Sequence, residues 1–132
     1  MALNQRSPIQ SRGLATLVAL LALLLAVSPG HAAELLMFEE PGCPWCKRWE
    51  AEVGIGYARS AEGQRAPVRR LPVGKPPGNI QLHSPVTMSP TFVLVADGRE
   101  VGRITGYPGA DFFWALLGEL VAKLDRKPQG SG

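Results

Sequence analysis

The sequence has 132 residues, a formal charge of +3 at neutral pH, and 45% hydrophobic against 19% charged residues. This length suits one small domain, and the ordinary share of hydrophobic residues argues against a disordered chain. Two cysteines are too few for a disulfide framework, and they cannot alone supply the four ligands of a structural zinc site.

Charge is distributed unevenly along the chain. Arg6 and Arg12 are the only Lys, Arg, Asp or Glu residues before Ala33, and all 11 acidic residues follow it. The part of the chain after Ala33 is therefore close to neutral. Such a domain gives no electrostatic reason to expect a nucleic-acid partner or an anionic membrane surface.

The first 32 residues have the order of a secretory signal peptide. A polar, basic stretch precedes the apolar run Leu14–Val27, and Gly30 and Ala32 are small residues at −3 and −1 of a cut after Ala32. The run is shorter than the roughly 20 residues of a membrane span, and the alternatives are an uncleaved anchor and a buried core helix. We therefore expect export to an oxidising compartment, with a mature chain that begins at Ala33.

Apolar periodicity and turn residues then predict alternating strands and helices. Residues 72–90 hold five prolines, which predicts an irregular connection. The predicted elements are, in order, a strand Glu34–Phe38, a helix from near Cys43, a loop Ser60–Gln64, a strand Ala66–Val73, the connection, a strand Thr91–Ala96, a turn at Asp97-Gly98, an antiparallel strand Glu100–Thr105, and a helix after Gly109.

The chemistry is expected at the C-P-W-C motif of residues 43–46. Cysteines three apart at the start of a helix are neighbours and can form a disulfide. Free amide groups and the helix dipole favour the Cys43 thiolate, so its pKa should fall below the usual value of about 8.5. A thiolate attacks disulfides, and a more buried Cys46 suits the resolution of the mixed disulfide.

Other uses of the two cysteines stay open at this point. A structural disulfide would close only a four-residue loop, which gains little entropy. Zinc would need ligands besides His83, and a c-type haem needs a histidine where Lys47 stands. Copper(I) would fit two thiolates with Met37 or Met88, although both methionines are expected to fill the core. Redox exchange is the main interpretation, with no metal and no cofactor.

Three motifs resemble the thioredoxin-fold family over residues 34–124. They are C-P-W-C after a strand, S-P-T-F at residues 89–92, and Gly106-Tyr107 before a helix. Within that family, residues 38–43, 61–64 and 106–114 resemble the small exported thioredoxins found with bacterial sulfur-oxidation genes, the SoxS-like proteins. The resemblance implies a compact α/β thioredoxin-like fold, with a mixed central sheet of about four strands and flanking helices, over residues 33–127. Residues 128–132 would form a flexible tail.

The resemblance also implies residue roles. Cys43 matches the attacking cysteine, Cys46 the resolving one, and Pro90 a cis-proline that faces the disulfide, where an ordinary trans proline is the alternative. The backbone of Ser89 would pair with an extended substrate segment, as in strand addition. Trp45 would belong to the docking surface or pack on the Pro90 loop.

Two departures from the family pattern stand out. Many thioredoxins have a buried Asp six residues before the first cysteine, where this sequence has Met37, and Glu39 or Glu40 could replace it. The connection over residues 72–90 also leaves no clear room for the helix that thioredoxins have there.

The expected activity is thiol–disulfide exchange outside the cytoplasm. The first hypothesis is a reductant of a periplasmic partner protein's cysteine or disulfide, with the thiosulfate-oxidising Sox system as the candidate. A membrane thiol-transport protein would supply its electrons. The alternatives are a DsbA-type oxidant that forms disulfides and a non-catalytic copper(I)-binding module.

Overall fold

A four-stranded mixed sheet forms the centre of the computed structural model, which describes residues 33–126. Its strands are β1 (Glu34–Glu39), β2 (Val68–Pro72), β3 (Thr91–Ala96) and β4 (Arg99–Thr105), in the order β2-β1-β3-β4. β1 is parallel to β2 and antiparallel to β3, which is antiparallel to β4. The predicted mixed sheet is confirmed. The predicted signal peptide, residues 1–32, and tail, residues 128–132, lie outside the described residues.

Helices flank the sheet. α1 (Pro44–Trp49) continues through a π-helical turn (Glu50–Gly54) into α2 (Ile55–Tyr57), followed by α3 (Ala61–Arg65), and α4 (Ala110–Ala122) ends in a 3₁₀ turn (Lys123–Asp125). Within residues 33–126, no helix is long and apolar enough to cross a membrane. The connection between β2 and β3 contains no helix, as its prolines predict.

The prediction of a loop over Ser60–Gln64 is wrong, because α3 occupies most of it. Ser60 caps this helix: its Oγ accepts a hydrogen bond from the Gly63 amide at 2.9 Å and donates one to the Tyr57 carbonyl at 2.7 Å. Gly63 is buried, and a Cβ there would overlap the carbonyl oxygen of Tyr57. Five residues with a central glycine show too little periodicity to predict a helix from sequence.

We expect Gly63→Ala to destabilise the protein by about 1–3 kcal/mol, the usual cost of overpacking, because a backbone atom cannot move aside. Gly56 is the matched control, since it lies in a helix with no atom within 4 Å of its would-be Cβ. Gly56→Ala should instead stabilise by about 0.5–1 kcal/mol, as alanine favours the helix. Urea unfolding of both variants measures the difference, and similar free energies of unfolding would contradict this reading of α3.

The sheet has an apolar cluster on each face. One holds the aromatic core, in which Trp49 lies 5.3 Å from Phe92 and 5.9 Å from Phe113 between ring centroids. Trp49 is fully buried, and Trp114 is partly buried against the same cluster. On α4, Leu116 is 40% exposed, whereas the buried residues of this helix are Phe113, Leu117, Leu120 and Val121. The second cluster contains Leu36, Phe38, Val86, Val93 and Val95, against which Leu71, Val73, Ile80 and Leu82 pack.

A buried ion pair holds the connection to β4. The Glu100 side chain is only 1% exposed and accepts two hydrogen bonds of 2.6 Å from Arg103 and one of 2.8 Å from the His83 amide. Arg103 also donates to the carbonyl of Ser84 at 2.8 Å. Burial raises the pKa of Glu100, but the bonds from Arg103 and His83 outweigh it, so the pKa lies below its usual value. The connection leading to Pro90 is thus fixed at its middle.

Candidate active site

The two cysteines lie at the start of α1 and form a disulfide, with their Cα atoms 5.3 Å apart. Cys43 is the N-cap residue, and its sulfur accepts a hydrogen bond of 3.1 Å from the Cys46 amide. Pro44 at the first helical position has no amide hydrogen to leave unpaired. Cys43 is partly exposed, whereas Cys46 is 5% exposed and belongs to the core. The more accessible sulfur is therefore the one that faces the helix amides.

The loop before β3 lies against this disulfide. The Ser89–Pro90 peptide bond is cis, and Ser89 Oγ lies 3.3 Å from Cys46 Sγ. The same oxygen accepts a hydrogen bond of 2.9 Å from the Glu40 amide, at the end of β1. The Pro90 carbonyl accepts from the Gly106 amide at 2.7 Å, after β4. Hydrogen bonds from the chain after β1 and from the chain after β4 therefore hold the loop that contacts Cys46.

Both cysteines line a cleft of about 480 Å³. One wall carries a charged cluster in which Arg70 pairs with Glu39 at 3.2 Å and with Glu50, while its guanidinium lies 5.7 Å from the ring centre of Trp49. Arg70 lies on β2 and was missed from sequence. In the sequence, the only indication of its role is a charged residue next to apolar residues in a predicted strand. Met37 is fully buried, so the position where many thioredoxins have an Asp carries no charge.

Trp45 stands at the outer side of the motif and is 52% exposed. The Arg48 guanidinium lies 5.8 Å from its ring centre and donates to Glu52 at 2.8 Å. Glu52 also accepts a hydrogen bond of 2.6 Å from the Tyr107 hydroxyl. The hydrogen bond from Tyr107 lowers the pKa of Glu52 most, and the hydrogen bond from Arg48 lowers it further. Burial is the main cause that raises the pKa of Tyr107 to about 12, and the hydrogen bond to Glu52 adds to it. The network links the motif's helix to the segment before α4.

The structure corrects one expectation about the methionines. Met37 fills the core as predicted, but Met88 is 56% exposed, next to Ser89 in the cis-proline loop. The Met88 carbonyl accepts a hydrogen bond of 2.7 Å from Thr91 Oγ1, so a backbone contact holds the residue while its side chain stays in solvent. Across residues 33–126, no group of three or more His, Cys, Asp or Glu side chains is arranged to hold a metal ion.

Comparison with known proteins identifies the family. A family model described as a thioredoxin-like domain matches residues 22–120. The chain belongs to the thioredoxin-like family. With its Cys43–Cys46 pair, this thioredoxin-like protein is a thiol–disulfide oxidoreductase.

Two solved structures are similar to this chain, to different degrees in sequence and fold. The periplasmic thioredoxin SoxS from Paracoccus pantotrophus, in its reduced form, is 49% identical with a TM-score of 0.68, over 70% of this chain and 99% of that one. A thioredoxin from Malassezia sympodialis (Mala s 13) is 15% identical with a TM-score of 0.48, over 76% of this chain and 84% of that one. The comparison with curated proteins found no match.

Proposed function

We propose that this protein is an exported, periplasmic reductant of disulfides, with Cys43 as the nucleophile and Cys46 as the resolving cysteine. The observation that supports these roles best is the amide of Cys46, which donates to Cys43 Sγ at the start of α1. A donor aimed at a sulfur stabilises its thiolate, the attacking species. The partial exposure of Cys43 and the burial of Cys46 fit the same order of attack.

A partner protein would dock across the Cys43 side of the site. Its extended segment would pair with the backbone of Ser89 beside the cis-proline Pro90, adding a short strand. Trp45 and Met88, each more than half exposed, offer apolar surface for the flanking residues. The partner is a periplasmic protein bearing a reactive cysteine or disulfide.

The likeness to periplasmic SoxS supports the compartment and a partner in the sulfur-oxidation system. A reductant in an oxidising compartment must be recharged, so we assign its electrons to a membrane thiol-transport protein. The dithiol passes two electrons to the partner's disulfide and becomes the Cys43–Cys46 disulfide. The recharging protein reverses that change.

The reduction potential of the Cys43–Cys46 pair tests the direction of electron flow. We expect the purified protein, equilibrated with defined thiol buffers, to titrate near the thioredoxin value of about −270 mV or below it. A value near about −120 mV, typical of DsbA, would instead make the protein an oxidant and remove the reductant proposal. A separate titration of the reduced protein with copper(I), without thiol buffer, tests the metal-binding module, because thiolates bind this soft ion.

A further inference from the structure

We propose that the Ser89 hydroxyl donates a hydrogen bond to Cys46 Sγ and stabilises the Cys46 thiolate during resolution of the mixed disulfide. This inference rests on the proposed function, in which Cys46 completes the exchange. It gives Ser89 a side-chain role in addition to its backbone role in docking. Because the hydroxyl contacts a reacting atom, Ser89 would be a catalytic residue.

The direction of the hydrogen bond follows from the contacts of the hydroxyl. A serine hydroxyl has one hydrogen to donate and two lone pairs. The Ser89 oxygen already accepts from the Glu40 amide at 2.9 Å, which leaves its hydrogen free. Cys46 has no hydrogen on sulfur in the disulfide, so the 3.3 Å contact between Ser89 Oγ and Cys46 Sγ requires Ser89 as the donor.

The surroundings of Cys46 give this hydrogen bond its importance. The residue is 5% exposed and belongs to the same apolar cluster as Met37, Trp49 and Phe92. Burial in such surroundings raises the pKa of a thiol, because the thiolate loses its hydration. Among residues 33–126, the hydroxyl of Ser89 is the side-chain hydrogen-bond donor to this sulfur. The Glu40 amide fixes the oxygen in place, so little entropy is lost when the thiolate forms.

The step itself balances as an exchange of one disulfide for another. Cys46 first releases its proton to water in the cleft that both cysteines line. Its thiolate attacks Cys43 Sγ, the Cys43–Cys46 bond forms, and the bond from Cys43 to the partner's sulfur breaks. The partner's sulfur leaves as a thiolate and takes a proton from water. Ser89 keeps its own proton throughout.

The direct test is the pKa of Cys46 in a Cys43→Ala background, where alanine stands in for the uncharged Cys43 of the mixed disulfide. Cys46 is then the only thiol, and the ultraviolet absorbance of its thiolate reports its titration. We expect Ser89→Ala to raise this pKa by about one unit, in keeping with the loss of a hydrogen bond to a charged group. Ser89→Thr keeps the hydroxyl and should restore the original pKa.

Ser84→Ala is the matched control, because it makes the same substitution in the same connection at an exposed position. It should leave the pKa of Cys46 unchanged. An unchanged pKa in Ser89→Ala would overturn the proposal. So would an equal rise in Ser89→Thr, since the shift would then come from a displaced loop.

The rate of resolution provides a second readout that a purely structural role would not produce. At a pH below the pKa of Cys46 in both the parent protein and Ser89→Ala, the variant has about tenfold less Cys46 thiolate. A more basic thiolate is also more nucleophilic, so resolution should slow by only about threefold. Above both pKa values the same variant should resolve about threefold faster. A loop defect would slow the reaction at every pH, and that result would contradict the proposal.

This test also separates the present inference from the proposed function. The titration needs no partner protein and no reductase assay. If the pKa responds as expected but the protein reduces no disulfide, the proposed function fails and the hydrogen bond stands. If the protein reduces disulfides normally and the pKa does not respond, only the role of Ser89 fails.

Discussion

Replacing Cys43 by serine will reduce the rate of disulfide reduction by on the order of 10³-fold or more, because an alcohol is not ionised near neutral pH and cannot act as the nucleophile. Insulin reduction, followed by turbidity with a chemical thiol as the electron source, measures the loss. The fold should be retained, since Cys43 is partly exposed at the start of α1. Circular dichroism verifies this.

Cys46→Ser provides the complementary result. This variant keeps the Cys43 nucleophile but cannot resolve, so it should accumulate a mixed disulfide with its partner that a thiol reductant releases. Ser84→Ala is the control that should keep full activity and trap nothing, since it removes a hydroxyl from an exposed position. If Cys43→Ser traps the partner and Cys46→Ser does not, the two cysteines have the reverse roles.

Arg103→Ala is expected to destabilise the protein by about 3–5 kcal/mol, because it leaves Glu100 buried without its partner. That loss is a large part of the free energy of unfolding, which is roughly 5–15 kcal/mol for a folded protein. Urea unfolding at neutral pH measures the loss. The exposed pair Arg65–Asp125 is the matched control, since Arg65 also donates two hydrogen bonds to one carboxylate. Arg65→Ala should cost less than about 1 kcal/mol, and equal costs would contradict the argument from burial.

The same ion pair gives the stability a defined dependence on pH. The pKa of Glu100 is lower in the folded protein than its ordinary value. Its charge therefore stabilises the fold above about pH 4.3, and this contribution disappears as the pH falls through the lower folded-state pKa. The difference in unfolding free energy between the parent protein and Glu100→Gln should shrink over that range. A difference that stays constant in acid would mean that Glu100 acts through its shape and not its charge.

Much of the fold could be predicted from sequence because its signals are local. The run Thr91–Ala96 and the turn at Asp97-Gly98 specify a hairpin within a few residues, and the structure has both. The apolar periodicity that predicts α4 likewise lies within one continuous stretch of the chain. Where a local signal was weak, as in α3 with Gly63 at its centre, the prediction failed.

The arrangement around the sulfurs depends on contacts between distant residues, which no local pattern contains. Ser89 lies 43 positions from Cys46, and Arg70 lies 31 from Glu39 and 20 from Glu50. The cysteine motif was evident in the sequence, but its surroundings required the sheet to bring β1, β2 and the cis-proline loop together. The exposure of Met88 was missed for a different reason, since an apolar residue is usually expected to be buried.

The outer strand β2 affects how the protein behaves at high concentration. An unpaired strand edge can recruit another chain and start aggregation. β2 has only five residues, two of its side chains are arginines, and it ends at Pro72, which has no amide hydrogen to donate. A short strand and a missing hydrogen-bond donor leave a second copy little edge to pair with. We therefore expect the β2 edge of the sheet to resist self-association.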